Sequence, residues 1–166
     1  LFSNYVRKGS PYYRAAHEAA EQLDARLDVV GSNVGTATTA PEQMLGDYDV
    51  VLAQGRSALE AMAVGASVMI CSSRAFGPLV TSDNVERMRE LNFGIRTHTL
   101  PATASTITSQ LANYSAPDAN RVSTWIRERV SVQAAVGQLV KLYEEAIDDF
   151  DPGSVDPKVA ARATGR

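Results

Sequence analysis

The sequence predicts an α/β fold: a doubly wound parallel sheet in a single domain, flanked by helices. Three observations carry that expectation. Apolar runs of strand length alternate with segments of helical period. Two of those runs, Tyr48 to Ala53 and Ala66 to Cys71, are joined by a short helix-forming stretch. Such a βαβ unit implies parallel strands buried on both faces. Finally, 166 residues with 45% hydrophobic and 21% charged types suit one compact domain and not a disordered chain.

Leu1-Phe2-Ser3 reads as the end of a strand, followed by a polar loop from Asn4 to Ser10. Pro11 to Leu27 reads as a helix. Pro11 suits its first turn, and Ala15, Ala19, Ala20, Leu23 and Leu27 form an apolar stripe. Asp28 to Gly31 is a short buried-strand candidate; Gly31 to Ala40 is a loop; Pro41 to Leu45 suits a helical turn. After the strand ending at Ala53, Gln54-Gly55-Arg56 reads as a tight turn and Ser57 to Val64 as a helix ended by Gly65. Ser72 to Asp83 reads as a loop, Asn84 to Leu91 as a short helix, and Phe93 to Thr97 as an edge strand. Thr103 to Asn113 and Asp118 to Asp149 read as helical, with a break near Ser131. Val132, Ala135, Val136, Leu139, Val140, Leu142 and Tyr143 form the expected core-facing stripe of the last helix. Residues 150–166 read as a flexible tail, leaving 1–149 as the folded domain.

Charge and composition exclude several classes. Sixteen basic and 19 acidic residues give a net charge of −3, without the basic field that drives nucleic-acid binding. One cysteine, Cys71, rules out an intrachain disulfide framework and a cysteine-based zinc cluster. No apolar run approaches the roughly 20 residues of a membrane span. The start at Leu1-Phe2-Ser3-Asn4 has no signal-peptide pattern and no Met, so a piece of a longer chain is expected.

In a doubly wound sheet, ligands bind where strand carboxyl ends meet helix starts. Two loops fit. Ser3 to Ser10 combines Arg7, Lys8, Gly9 and small hydroxyl residues ahead of a helix, a possible phosphate cradle. Solvated surface cations are the plainer alternative. In the second loop Gly55 admits close backbone approach, Ser57 can cap the helix, and N–H groups near Arg56 would face a diphosphate. Glu60, one turn on, could accept two hydrogen bonds from a ribose diol, or could simply favour the helix dipole. A third loop, Ser73 to Asn84, could turn Arg74, Gly77 and Thr81 toward a sugar or an acceptor. Cys71 is expected to be a core thiol, and His17 and His98 non-catalytic. Asp148-Asp149-Phe150-Asp151 is expected to be a solvated acidic helix end, not a metal site.

Residues Gly55 to Gly65, Gly-Arg-Ser-Ala-Leu-Glu-Ala-Met-Ala-Val-Gly, followed by an apolar strand, resemble the nucleotide-sugar signature of GT-B glycosyltransferases. That signature lies in the C-terminal, donor-binding Rossmann-like domain of the family. Leu59 to Gly65 match its Leu-Glu-Ala-Met-Ala-x-Gly, and Ser67 stands where the family has Pro. The family's second Glu, eight positions earlier, corresponds to Leu52. Lys8-Gly9 resembles the family's diphosphate-binding Lys-Gly, while Asn4 or Arg7 stands in for its preceding Arg. The resemblance covers roughly Leu1 to Ile147.

By this resemblance Lys8, Gly9, Gly55, Arg56 and Ser57 bind the donor diphosphate and Glu60 the ribose. The implied enzyme is a hexosyltransferase-type glycosyltransferase that takes a nucleoside-diphosphate sugar as substrate. No separate cofactor and no metal are expected. Acceptor binding and any catalytic base are expected in an N-terminal domain outside this chain, so this stretch alone would be inactive; the catalytic residues themselves are left unassigned. The implied location is the cytoplasm, with membrane-peripheral placement of the full-length protein as the other option. Two other readings stay open: half of a sugar-nucleotide epimerase of the related two-domain fold, or a non-catalytic flavodoxin-like interaction domain.

Overall fold

The computed structural model describes residues 1–151. All of the expected tail except Phe150 and Asp151 lies outside the described residues. The chain divides into one unit of Leu1–Glu128 and a second beginning at Arg129.

The first unit is a mixed α/β structure around a three-stranded sheet, β1 (Val50–Ala53), β2 (Ser67–Cys71) and β3 (Phe76–Leu79), in that order. β1 and β2 pair in parallel, Val50 opposite Ser67 and Ala53 opposite Ile70. The helix α3 (Gly55–Ala63) joins them, as the βαβ pattern requires. β2 and β3 are antiparallel, which corrects the expectation of a parallel sheet. The reason is the length of the connection. Only Ser72 to Ala75 link the two strands, and the Ser72 N–H donates to the Ala75 carbonyl at 3.1 Å, closing a reversal. A parallel partner needs a crossover of about a dozen residues. β3 also lies inside the stretch expected to be loop.

Beside β1 the first residues extend the hydrogen-bonding pattern. The Phe2 N–H donates to the Leu52 carbonyl at 3.0 Å, and Phe2 and Val30 form an isolated parallel bridge. The two strands expected at Leu1–Ser3 and Asp28–Gly31 are therefore present only as this bridge. Gly31 is needed there by space: a Cβ on it would stand 2.0 Å from the Ser3 carbonyl oxygen. At the far edge, the Gln110 side chain accepts from the Leu79 N–H at 2.9 Å. The Asn84 amide donates to the Leu79 carbonyl at 2.9 Å. Side chains thus satisfy Leu79, and the Leu100 backbone exchanges two hydrogen bonds with Phe76, so that neither end of β3 offers free backbone groups.

Helix α1 (Pro11–Gln22) packs Tyr12, Ala15, Ala16 and Ala19 into the core shared with α5 (Ala104–Leu111). It ends short of the expected Leu27. Asp24 adopts a left-handed conformation at φ 49°, and the Ala25 N–H reaches back to the Ala20 carbonyl at 2.9 Å. That pair of features is the Schellman stop, made here without glycine. α3 ends the same way at Gly65, with the Ala66 N–H on the Ala61 carbonyl at 3.1 Å. One of its last carbonyls, on Ala63, accepts the Ser123 hydroxyl of α6 (Ala116–Arg129) at 3.2 Å. A short helix α2 (Glu42–Leu45) precedes β1, and α4 (Val85–Glu90) follows β3. Phe93 to Thr97 is not an edge strand. Asn92 and Phe93 both take positive φ, after which Ile95–Thr97 form a 3-10 turn.

In the second unit α7 (Val132–Asp148) begins at Ser131, whose hydroxyl accepts the Ala134 N–H at 3.1 Å. None of its residues is buried, so the stripe expected to face a core is not buried within this unit. Leu142 and Tyr143 are each 60% exposed. The pattern is that of an amphipathic helix, but the chain divides at Arg129, ahead of it.

Candidate functional site

β1 delivers the chain to its carboxyl end at Ala53, where Gln54 is extended and the helix α3 starts at Gly55. The helix therefore begins two residues earlier than expected. Ser57 sits inside its first turn and is not the N-cap; Gln54 holds that place without a side-chain cap bond. Gly55 has φ +56°, a left-handed conformation that disfavours a side chain, and open space where a Cβ would stand. Its N–H donates to the Phe93 carbonyl at 2.8 Å. One of the helix's orphan donors is thus taken by the loop from α4, and those of Arg56 and Ser57 bond to no side chain among the described residues.

A cavity of about 390 Å³ opens at this end of the sheet. Its walls include Gln54 and Gly55 from the start of α3, Ser72 and Arg74 from the turn after β2, and Asn92 and His98 from the loop after α4. No carboxylate lines it. Arg74 is exposed and positively charged, and Ser72 holds the turn by donating to the Ala75 carbonyl at 3.0 Å.

The other expected site residues are placed as follows. Arg56 and Glu60 pair with each other, Nε to Oε1 at 2.8 Å, with the Arg56 side chain 91% exposed and that of Glu60 28%. The two groups expected on diphosphate and ribose thus neutralise each other one helical turn apart. Lys8 and Gly9 are exposed and do not line the cavity. Their loop is held by its own hydrogen bonds: the Ser10 hydroxyl donates to the Arg7 carbonyl at 2.6 Å, and Asn4 Oδ1 accepts the Ser32 N–H at 3.1 Å. The Phe2–Leu52 hydrogen bond sets this loop's strand beside β1, so the two loops leave neighbouring chains.

Gly77 is buried in β3, and a Cβ there would meet the Thr97 carbonyl oxygen at 2.6 Å. It serves packing. Thr81 lies in the turn ahead of α4, its carbonyl accepting the Val85 N–H at 2.9 Å and its N–H donating to Asn84 Oδ1 at 3.0 Å. Leu52 is 6% exposed in the core. The Ser67 N–H donates to the Asp49 carbonyl at 3.0 Å, a bond that a proline at this position could not make.

Burial pushes the Cys71 thiol up to about 12, which makes it a core group and not a nucleophile. Burial also holds His98 below its ordinary value. Asp118 feels burial in the opposite direction, but the Ser82 hydroxyl and N–H and the Arg121 guanidinium together hold its carboxyl low. His98 is the wall residue that sequence reasoning set aside, because an isolated histidine carries no spacing signal. The sequence also contains two Asp-x-Asp spacings, Asp47-Tyr48-Asp49 and Asp149-Phe150-Asp151. Among the described residues no group of three or more His, Cys, Asp and Glu side chains is arranged to hold a metal ion. No helix among them is long and apolar enough to cross a membrane. No protein-family model matches the chain, and neither the curated proteins nor the solved structures contain a match.

Proposed function

We propose that the first unit is the nucleotide-sugar-binding, Rossmann-like domain of a glycosyltransferase, with the donor's diphosphate at the start of α3. The observation that carries this reading is the course of the chain at that point. A buried parallel strand ends at Ala53, a left-handed glycine opens a helix beside a cavity, and that helix bears the run Leu59 to Gly65. The parallel Phe2–Val30 bridge and its link to Leu52 support a wider parallel arrangement around β1 and β2.

In such an enzyme the bond between the sugar's anomeric carbon and the diphosphate oxygen breaks, and negative charge grows on the departing diphosphate. This chain's contribution is electrostatic. The N–H groups of Arg56 and Ser57, the positive end of α3 and the Arg74 guanidinium stabilise that charge where it develops. Arg56 joins them once it leaves Glu60, and Glu60 then has both oxygens for a ribose diol.

Calorimetry with UDP and GDP against their nucleosides tests this. Diphosphates should bind and nucleosides should bind at least tenfold more weakly, about one charge-assisted hydrogen bond's worth. Glu60→Gln should weaken the diphosphate complexes roughly tenfold with little change in melting temperature. If UDP and GDP both fail to bind, the reading is wrong, and an interaction domain becomes the better account.

A further inference from the structure

His98 follows the 3-10 turn Ile95–Thr97 and forms part of the cavity wall with Gly55, Arg74 and Asn92. Its Nε2 is buried and meets no hydrogen-bond partner among the described residues. A neutral imidazole carries one N–H and one bare nitrogen. Orphaned buried N–H groups are rarer than under-used buried acceptors, so the bare nitrogen belongs on the buried side. The proton then sits on Nδ1, and the ring has a donor to offer on its other edge. The hydrogen bond of His98 among the described residues is made by its backbone N–H, to the Ile95 carbonyl at 3.2 Å, and none by Nδ1.

The rest of the wall selects what would accept that donor. Arg74 brings a positive charge, Gln54 and Asn92 bring neutral amides, and no carboxylate is present to repel an anion. The several oxygens of a phosphate group can accept from such donors together, whereas an uncharged sugar hydroxyl would leave the guanidinium unmatched. The left-handed Gly55 removes the Cβ from the surface that a phosphate would approach.

Resting on the reading above, we propose that His98 is a ligand-binding residue of the donor site, its Nδ1–H donating to a phosphate oxygen of a nucleoside diphosphate held between Gly55 and Arg74. The role concerns the neutral ring, so it operates at neutral pH. It also gives the loop after α4 a direct hold on the ligand, in addition to its grip on α3 through the Phe93 carbonyl.

The test is calorimetry at neutral pH on the full 166-residue chain, with UDP, GDP, their nucleosides and inorganic pyrophosphate as probes. The variants are His98→Phe, which keeps the ring volume and removes the donor, and His98→Asn, whose amide N–H can stand near Nδ1. His98→Phe should lose roughly tenfold in affinity for UDP, GDP and pyrophosphate and nothing for nucleosides. His98→Asn should stay within roughly threefold of the wild type, which a merely structural histidine would not produce. Thermal melts accompany the titrations, and if His98→Phe fails to fold, His98→Asn and an added His98→Gln decide. Retention by His98→Asn supports the Nδ1 donor, with His98→Gln, whose amide nitrogen stands nearer the Nε2 position, expected to lose affinity; a tenfold loss in His98→Asn overturns the donor role, as does equal retention by His98→Gln. Should UDP or GDP bind His98→Phe as tightly as the wild type, His98 is not a ligand-binding residue and the nucleotide reading stands. Should pyrophosphate bind through His98 while nucleotides bind no tighter, His98 stands and the nucleotide reading falls. Absence of binding by every probe overturns both.

Discussion

The loop before α1 and the loop before α3 look alike in sequence and differ in structure. Each follows an apolar run, each contains glycine and a cation, and each opens a helix. The first carries more charge, with Arg7 and Lys8 both exposed. It is also closed on itself, with Asn4 fastened to Ser32 and Ser10 to Arg7. The second carries one cation, and that cation is paired to Glu60. Yet the second backs onto a cavity whose other walls come from two distant segments. Convergence of several segments, and not the charge written into one of them, distinguishes a site from a surface.

The comparison can be broken at its glycines. Gly31 supports the first loop by leaving room for Ser3, so Gly31→Ala should cost about 3 kcal/mol and lower Tm by roughly 10 °C in a thermal melt. Arg74→Ala should weaken UDP binding roughly tenfold, while Lys8→Ala should change it less than about threefold, because only Arg74 lines the cavity. The reverse order in a titration would return the diphosphate to the first loop. Gly55→Ala meets no steric obstacle and should cost only about 1 kcal/mol, the penalty of a left-handed alanine; Gly55→Asn should recover part of it.

Acid sharpens the contrast further. His98 is held below its ordinary 6.5, so the unfolded chain takes up that proton first. Its contribution to stability is complete above 6.5 and declines as pH falls through the folded value. Denaturant melts between neutral pH and about pH 5 should show this decline, and His98→Asn should remove it. The first loop contains no histidine and should add nothing over that range. The smallest effect belongs to the Arg56–Glu60 pair. With Arg56 91% exposed, Glu60→Gln should shift stability by less than about 0.5 kcal/mol.

Legibility in the sequence followed local physics. The unit β1–α3–β2 could be read because β-branched residues, strong helix formers and Gly65 all agree there. The break at Ser131 was legible for the same reason, a hydroxyl cap before an apolar period. β3 was not, since Gly77 and Pro78 occupy half of its four residues and read as loop. Its direction depended on the number of residues after Cys71. The end of α1 was hidden because Asp24, not glycine, takes the left-handed turn. The periodicity of α7 gave its amphipathic face but not whether anything covers that face. As for the site, Gly55 was legible as a special backbone position but not as the first residue of α3, and the cavity wall at Asn92 and His98 was not legible, because tertiary contact alone brings it there.

The hydrogen bond from the Gly55 N–H to the Phe93 carbonyl also has a kinetic meaning. Phe93 is fully buried and held at φ 48°, a backbone state that costs a bulky residue of order 1–3 kcal/mol. Amide exchange at Gly55 therefore reports the opening free energy of the loop that covers it, read from a single proton. Each opening exposes one more unpaired N–H at the head of α3, so an anion bound there as proposed would compete with a carbonyl for that proton. Slowed exchange at Gly55 with unchanged exchange at Ala66 would show the loop tightening on its own, without any tightening of the helix behind it.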